Sequence, residues 1–389
     1  MGAFLPYDNI LNIQYMGNLI IIIIGIVFGF LISYVGLNKF NTIAGLSVLK
    51  DFTVAKTIML VIGLGSILLM IEMADNEAVF HVKSLYLVGT ALGGVIFGIG
   101  MAILGYCPGT LPISLGQGSL DALWGIIGGL AGGILYTVLY PFIIPLLGGN
   151  LGKGTLFTLM GSEFSVGYVI TVILIGVAMI AGAFILHQLD VKNGNPSRRW
   201  VITGIGLALL NTLLFYQGWQ NKPLGASTSY PFVGDSIACL TDNSYYPGLI
   251  GSGSWQVWFL LGALIAGFVY ALITGTFRWR LIQECWAEYK GESKGHRIVW
   301  AFVGGVRLIF GARMAEAVRP DISLVVVCNL QPVRMCSPSL LLLVFWLQGT
   351  YFIHAIKKKD ETFYIHRAGT NWHGNGLCPK VRSLPLAEK

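Results

Sequence analysis

Eight stretches of this chain stay apolar for about the 20 residues that a helix needs to cross a hydrocarbon core, and this excludes most soluble folds. They lie near 18–37, 55–72, 84–104, 120–147, 165–187, 199–216, 253–275 and 298–315, with a ninth around 338–354. A water-facing domain carries roughly a quarter charged residues. Here charged residues make up 11% against 55% hydrophobic, and the mean hydropathy is +0.72. That is too little charge to cover a surface in water, so the lipid bilayer is the expected partner. The 51 glycines suit helices that approach backbone to backbone in lipid. The predicted fold is an all-α membrane protein of about 8–9 transmembrane helices.

The net charge of +7 is spread in short clusters beside the spans, which reads as a topology signal and not as a nucleic-acid surface. Lys39, Lys50 and Lys56 follow the first span. Lys192, Arg198 and Arg199 lie at 188–199, and Arg278, Arg280, Lys290, Lys294 and Arg297 at 276–297. The loops between them carry Glu72, Asp75 and Glu77, then Asp235 and Asp242 in a long 217–252 segment. The alternation predicts an outside N-terminus and an inside C-terminal Lys357-Lys358-Lys359. Trp219, Tyr245, Tyr246, Trp255 and Trp258 are expected in an interfacial belt. Residues 1–17 lack a basic start, so no cleavable leader is expected.

The third span ends in Gly105-Tyr106-Cys107-Pro108-Gly109-Thr110, followed by Leu111-Pro112-Ile113-Ser114-Leu115-Gly116-Gln117-Gly118. Two prolines and four glycines cannot continue a straight helix. Irregular backbone at membrane depth is tolerated only where it is buried in protein or lines a cavity, so a re-entrant or broken element is predicted. Such an element turns N–H groups and a helix N-terminus toward the path, which suits an anion. Cys107 adds a thiol, a weak donor to a sulfur-bearing anion and, as thiolate, a nucleophile. The bland alternative is a small buried cysteine in a loop. A faint internal repeat also appears: Phe97, Gly98, Met101 and Ala102 match Phe310, Gly311, Met314 and Ala315 at one offset. Internal symmetry of this kind is how many transporters are built.

The segment from roughly Gly25 to Gly133 resembles the YeeE/YedE family of bacterial membrane transporters for sulfur-containing anions such as thiosulfate. The matching residues are Gly25 and Gly29, Thr42-Ile43-Ala44-Gly45, Asp51 to Lys56, and above all FGIGMAILGYCPGT at 97–110. Asp121-Ala122-Leu123 and the pairs Gly128-Gly129 and Gly132-Gly133 continue it. In the second half, Gly304-Gly305 and Phe310-Gly311-Ala312-Arg313-Met314-Ala315 match the family's FGARMA segment. The resemblance implies import of thiosulfate or a related small inorganic sulfur anion across the inner (plasma) membrane. It implies cysteines at a constriction that pass the ion along by hydrogen bonding, and a soluble sulfur-carrier protein as a candidate cytoplasmic partner. Cys107 is the cysteine that carries over. The family's early cysteine has no counterpart, because Gly36-Leu37-Asn38-Lys39 fills that region.

After Glu316 the resemblance implies Gly-Cys-Thr-Ser-Gly-His, the partner of the GYCPGT segment. The chain reads Ala317-Val318-Arg319-Pro320-Asp321-Ile322. Joining the third base of each codon to the first two of the next, with allowed codon choices, gives Gly-Cys-Thr-Ser-Gly-His-Ile-Ser-Gly-Gly-Gly-Met-Gln-Leu-Ala. The same frame can reach a stop codon across Asp360 and Glu361. The expected organisation is therefore a first half at 1–187, a second half at 188–316, and an out-of-frame segment at 317–389. On this reading Arg319, Asp321, Cys328, Cys336, His354, His366, His373 and Cys378 take no role.

The expected substrate path comprises Cys107, Gly105, Tyr106, Pro108, Gly109, Thr110 and Arg313. An intramembrane arginine is a functional candidate by default; the alternative for Arg313 is structural pairing with carbonyls or Glu316. Arg307 is expected to snorkel, and Cys239 and Cys285 to lie in aqueous loops. The six cysteines show no metal-ligand spacing, and Gly152-Lys153-Gly154-Thr155 lacks the earlier glycine of a phosphate loop. No cofactor, metal or enzymatic activity is expected. The alternatives are a membrane sulfurtransferase accepting sulfur on Cys107, and a non-functional frameshifted remnant.

Overall fold

The computed structural model describes residues 7–47, 51–74, 86–147, 166–216 and 224–316. Twelve helices are found among them: α1 (Tyr7–Val35), α2 (Phe40–Ser47), α3 (Thr53–Ala74), α4 (Leu87–Leu104), α5 (Thr110–Gly116), α6 (Leu120–Leu146), α7 (Val166–Lys192), α8 (Arg199–Phe215), α9 (Ser229–Ile237), α10 (Pro247–Ile273), α11 (Glu284–Lys290) and α12 (Lys294–Glu316). No strand occurs among the described residues, where the one β-type contact is an isolated bridge between Ser119 and Arg280. Six helices (α1, α3, α6, α7, α10 and α12) are long and apolar enough to cross a membrane, and α4 and α8 are shorter apolar helices. These eight coincide with the eight apolar stretches of the sequence. The ninth, at 338–354, lies outside the described residues.

Glycine sets the closest crossing. A Cβ on Gly93 would stand 2.3 Å from the Ala315 nitrogen, and one on Gly100 2.5 Å from the Leu308 nitrogen. Position numbers rise along α4 as they fall along α12, so the two repeat-bearing helices cross antiparallel. Gly128 meets Phe302 and Gly132 meets Val306, so α6 runs with α12. Elsewhere α3 opposes α7, where Gly63 meets Gly176 and Gly182 meets Met59. These relative directions are those of successive spans that alternate across a membrane.

Several residues assigned to water by the sequence pattern are buried. Lys56, counted with the basic loop, is 0% exposed and its Nζ lies 2.5 Å from Asp190 Oδ2 across α3 and α7. Arg297 is likewise 0% exposed, 2.5 Å from Asp121 Oδ2. Tyr245 and Trp255, expected in the interfacial belt, pack in the core, while Trp258 is exposed. Arg307 faces outward as expected. Cys285 is buried against Trp286 and disulfide-bonded, not in an aqueous loop, whereas Cys239 is exposed. A cluster rule reads charge per segment; burial depends on which partner the fold brings across.

Candidate functional site

The break predicted after the third span is present. α4 ends at Leu104, Gly105 adopts a left-handed φ of 79°, and helix resumes at Thr110. Gly105 is a cap: its N–H donates to the Met101 carbonyl. A Cβ there would fall 2.0 Å from the Phe40 ring, so no other residue fits without displacing that ring. Tyr106 is 1% exposed and its hydroxyl reaches Asp121 at 3.2–3.3 Å.

Asp121 is the anchor of this end. It accepts from Arg297 and from Gln283 Nε2, while Arg297 also donates to the Leu104 carbonyl at 2.9 Å and to the Ile103 carbonyl at 3.3 Å. The guanidinium stacks 4.5 Å from the Trp286 ring and 4.9 Å from Phe40. One buried pair thus satisfies the last carbonyls of α4, where cations are favoured, and fixes the start of both α6 and α12. The loop itself closes locally. Thr110 Oγ1 accepts from the Cys107 N–H at 3.0 Å, and the N–H groups of Thr110 and Leu111 both donate to the Cys107 carbonyl at 3.1 Å.

A second break faces this one. Residues 224–228 are irregular and lead into α9, which the hydropathy pattern hid inside an aqueous 217–252 loop. A helix of nine residues with mixed polarity gives no span signal. Yet Ser229, Tyr230, Pro231, Gly234 and Asp235 on α9 are buried. The signal available was Ala226-Ser227-Thr228-Ser229 before Tyr230-Pro231, a small polar run that punctuates a chain.

The breaks touch. Tyr230 Oη donates to the Pro108 carbonyl at 2.8 Å, and a Cβ on Gly109 would meet Ala226 Cβ at 3.5 Å and the Phe28 ring at 3.7 Å. α5 leads back to the start of α6, whereas α9 begins about a third of the way along α6 (Tyr230 against Gly129) and runs with it. The two short helices therefore diverge from a shared point, with both N-terminal ends at that point. Around it stand Cys107, a partly exposed free thiol, and Arg313, 1% exposed, whose Nη2 donates to Ser227 Oγ at 2.7 Å. Gln256 Oε1 accepts from the Thr228 and Ser229 N–H groups at 2.9 and 3.2 Å.

Of the seven residues expected on the path, Cys107, Pro108, Gly109 and Arg313 gather at this meeting point. Gly105 and Tyr106 face the anchor, and the Thr110 hydroxyl is turned back onto the Cys107 backbone. Ser227, Tyr230 and Gln256 were not foreseen, because nothing in a one-dimensional pattern places 226–230 against 107–109. Among the described residues no group of three or more His, Cys, Asp or Glu side chains could hold a metal ion.

No curated protein matches the chain. Residues 40–316 match the sulphur transport family, a stretch that takes in both breaks, the anchor and Arg313. The chain is a multi-pass membrane protein and belongs to the sulphur transport (YeeE/YedE) family.

Proposed function

We propose that this chain is built to import thiosulfate or a closely similar sulfur anion through the point where α5 and α9 meet. The observation that carries the reading is the convergence of two helix N-terminal ends, the buried Arg313 and the Cys107 thiol on one spot. Each contributes positive potential or a donor, and helix N-termini favour negative charge. The thiol is a soft, weak donor matched to a sulfur atom better than to an oxyanion alone. Arg313 and Ser227 bind the oxygen end, and the close approach at Gly109 and Ala226 forms the constriction. The remaining expected residues act behind it: Gly105, Tyr106 and Thr110 hold the Cys107 loop in place.

Further parts of the reading follow. With the basic loops inside, the N-terminus lies outside the inner membrane. A soluble sulfur carrier would collect the product on the basic inner face. The antiparallel crossing of α4 and α12 supports a two-half organisation at 1–187 and 188–316. The family match ends at residue 316, the point after which the shifted frame restores the family motif, and this supports reading 317–389 as out-of-frame. Sequencing the gene across codons 310–325 tests that: codons unable to yield the shifted motif would remove it.

The Cys107→Ala protein should reach the membrane normally and lose uptake of labelled thiosulfate. Unchanged uptake would refute the role of the thiol. A persulfide on Cys107 in the wild-type protein, seen by mass spectrometry, would instead favour sulfur transfer, because permeation by hydrogen bonding forms no covalent adduct.

A further inference from the structure

Three aspartates among the described residues are 0% exposed: Asp121, Asp190 and Asp235. Two of them face a buried cation at 2.5 Å. Asp235 does not. Its Oδ2 accepts from Thr137 Oγ1 at 2.7 Å, and its Oδ1 has no hydrogen-bond partner. None of α6, α9 and α10, the helices that enclose it, carries a lysine or arginine. The titratable groups on the elements around it are Asp121, Tyr136 and Tyr140 on α6, Tyr230 on α9, Tyr270 on α10, and Cys239, Asp242, Tyr245 and Tyr246 on the connection to α10. On α12, Arg313 donates to Ser227 at the other end of the α9 unit. A carboxyl buried with no cation among the described residues beside it keeps its proton to higher pH than one in water.

We propose that Asp235 is a proton-binding site, coupled through α9 to the anion site. The inference rests on the import reading for its coupling but not for the proton itself. Asp235 stands six residues after Ser229, about 9 Å along the helix, and α9 presents its first turn to the anion. A neutral carboxyl fits the buried seam between α6 and α9. An ionised one requires water or a cation there, so losing the proton favours loosening the seam and shifting the first turn of α9. Anion binding and proton binding thereby report on each other. A coupled ion also answers an energetic need. A membrane potential of 100 mV, negative inside, opposes accumulation by about fifty-fold for each negative charge on the substrate. With the basic loops inside, Asp235 lies toward the outer face, where protons are loaded.

The test uses the full chain in lipid nanodiscs and in proteoliposomes. At pH 5.5 an ordinary aspartate, with a pKa near 3.9, is still ionised. Infrared spectra should nevertheless show the carbonyl stretch of a protonated carboxyl, absent from Asp235→Asn. Thr137→Val keeps Asp235 but removes the donor that favours the ionised form, so the same band should titrate at higher pH. A wild-type spectrum without the band, or a band unchanged in Asp235→Asn, overturns the proton site irrespective of transport.

In proteoliposomes, a one-unit inward proton gradient should raise thiosulfate accumulation about tenfold at one proton per anion. Asp235→Asn should lose that stimulation and keep exchange of thiosulfate across the membrane. Gradient-driven accumulation that persists in Asp235→Asn overturns the coupling. If no anion crosses in the wild type while the band is present, the import reading fails and the proton site stands.

Discussion

The two breaks at the centre of this protein do the same geometric job with opposite kinds of support. The 105–109 break is locked from behind: Gly105 caps α4 against Phe40, Tyr106 reaches Asp121, and Arg297 joins that carboxylate to the last carbonyls of α4. The 224–228 break hangs from side chains of three separate helices. Asn211 on α8 accepts from the Leu224 N–H at 3.1 Å, Gln256 on α10 holds Thr228 and Ser229, and Arg313 on α12 holds Ser227. A break fixed by one buried ion pair is rigid. A break shared among three helices depends on the position of each of them. Cys107 therefore belongs to the break locked by one ion pair, Ser227 to the break hung from three helices, and Tyr230 to the first turn of α9 just after it.

The largest effect should come from the lock. Arg297→Ala leaves the Asp121 carboxylate buried without its cation, a loss of about 3–5 kcal/mol for a buried pair cut on one side. Thermal unfolding in detergent should show it, along with faster alkylation of Cys107 as its loop loosens. If the first break were also hung from many weak contacts, this variant would cost no more than the next one.

Gln256→Leu strands the Thr228 and Ser229 N–H groups, at about 1–3 kcal/mol for a buried donor left unmade. Thiosulfate uptake should fall while the alkylation rate of Cys107 stays at its wild-type value. A change in that rate equal to the one in Arg297→Ala would erase the distinction between the two breaks. The smallest effect is expected for Thr110→Val, which removes hydrogen bonds that close the Cys107 loop on itself, worth about 0.5–1.5 kcal/mol each. Uptake should persist with a modest drop in thermal stability, because the anchor behind the loop is intact.

Much of the first break was legible in the chain. Pro108, Pro112 and the glycines around them forbid continuous helix, and the apolar runs on either side place the interruption at membrane depth. The second break was not legible, since 217–252 is polar enough to pass for an outside loop, and α9 is too short for periodicity to register. Arg297, Lys56 and Asp235 were misplaced for a related reason. Each carries a charge that a segment count assigns to water, and only a partner from a distant helix, or the lack of one, reveals its state.

By itself the sequence determined the solvent of this protein, the places of the eight apolar helices among the described residues, and the position of the Cys107 break. These are properties of single segments, set by how much apolar surface and how many helix-breaking residues each contains. Only the tertiary structure decided that α5 and α9 point their first turns at one spot, that Arg297 secures the loop of the thiol, and that Asp235 is buried with no cation beside it among the described residues. Those depend on which faces of α4, α6, α10 and α12 come into contact. Backbone-close crossings at Gly93, Gly100, Gly128 and Gly132 fix that choice, and no local propensity encodes it.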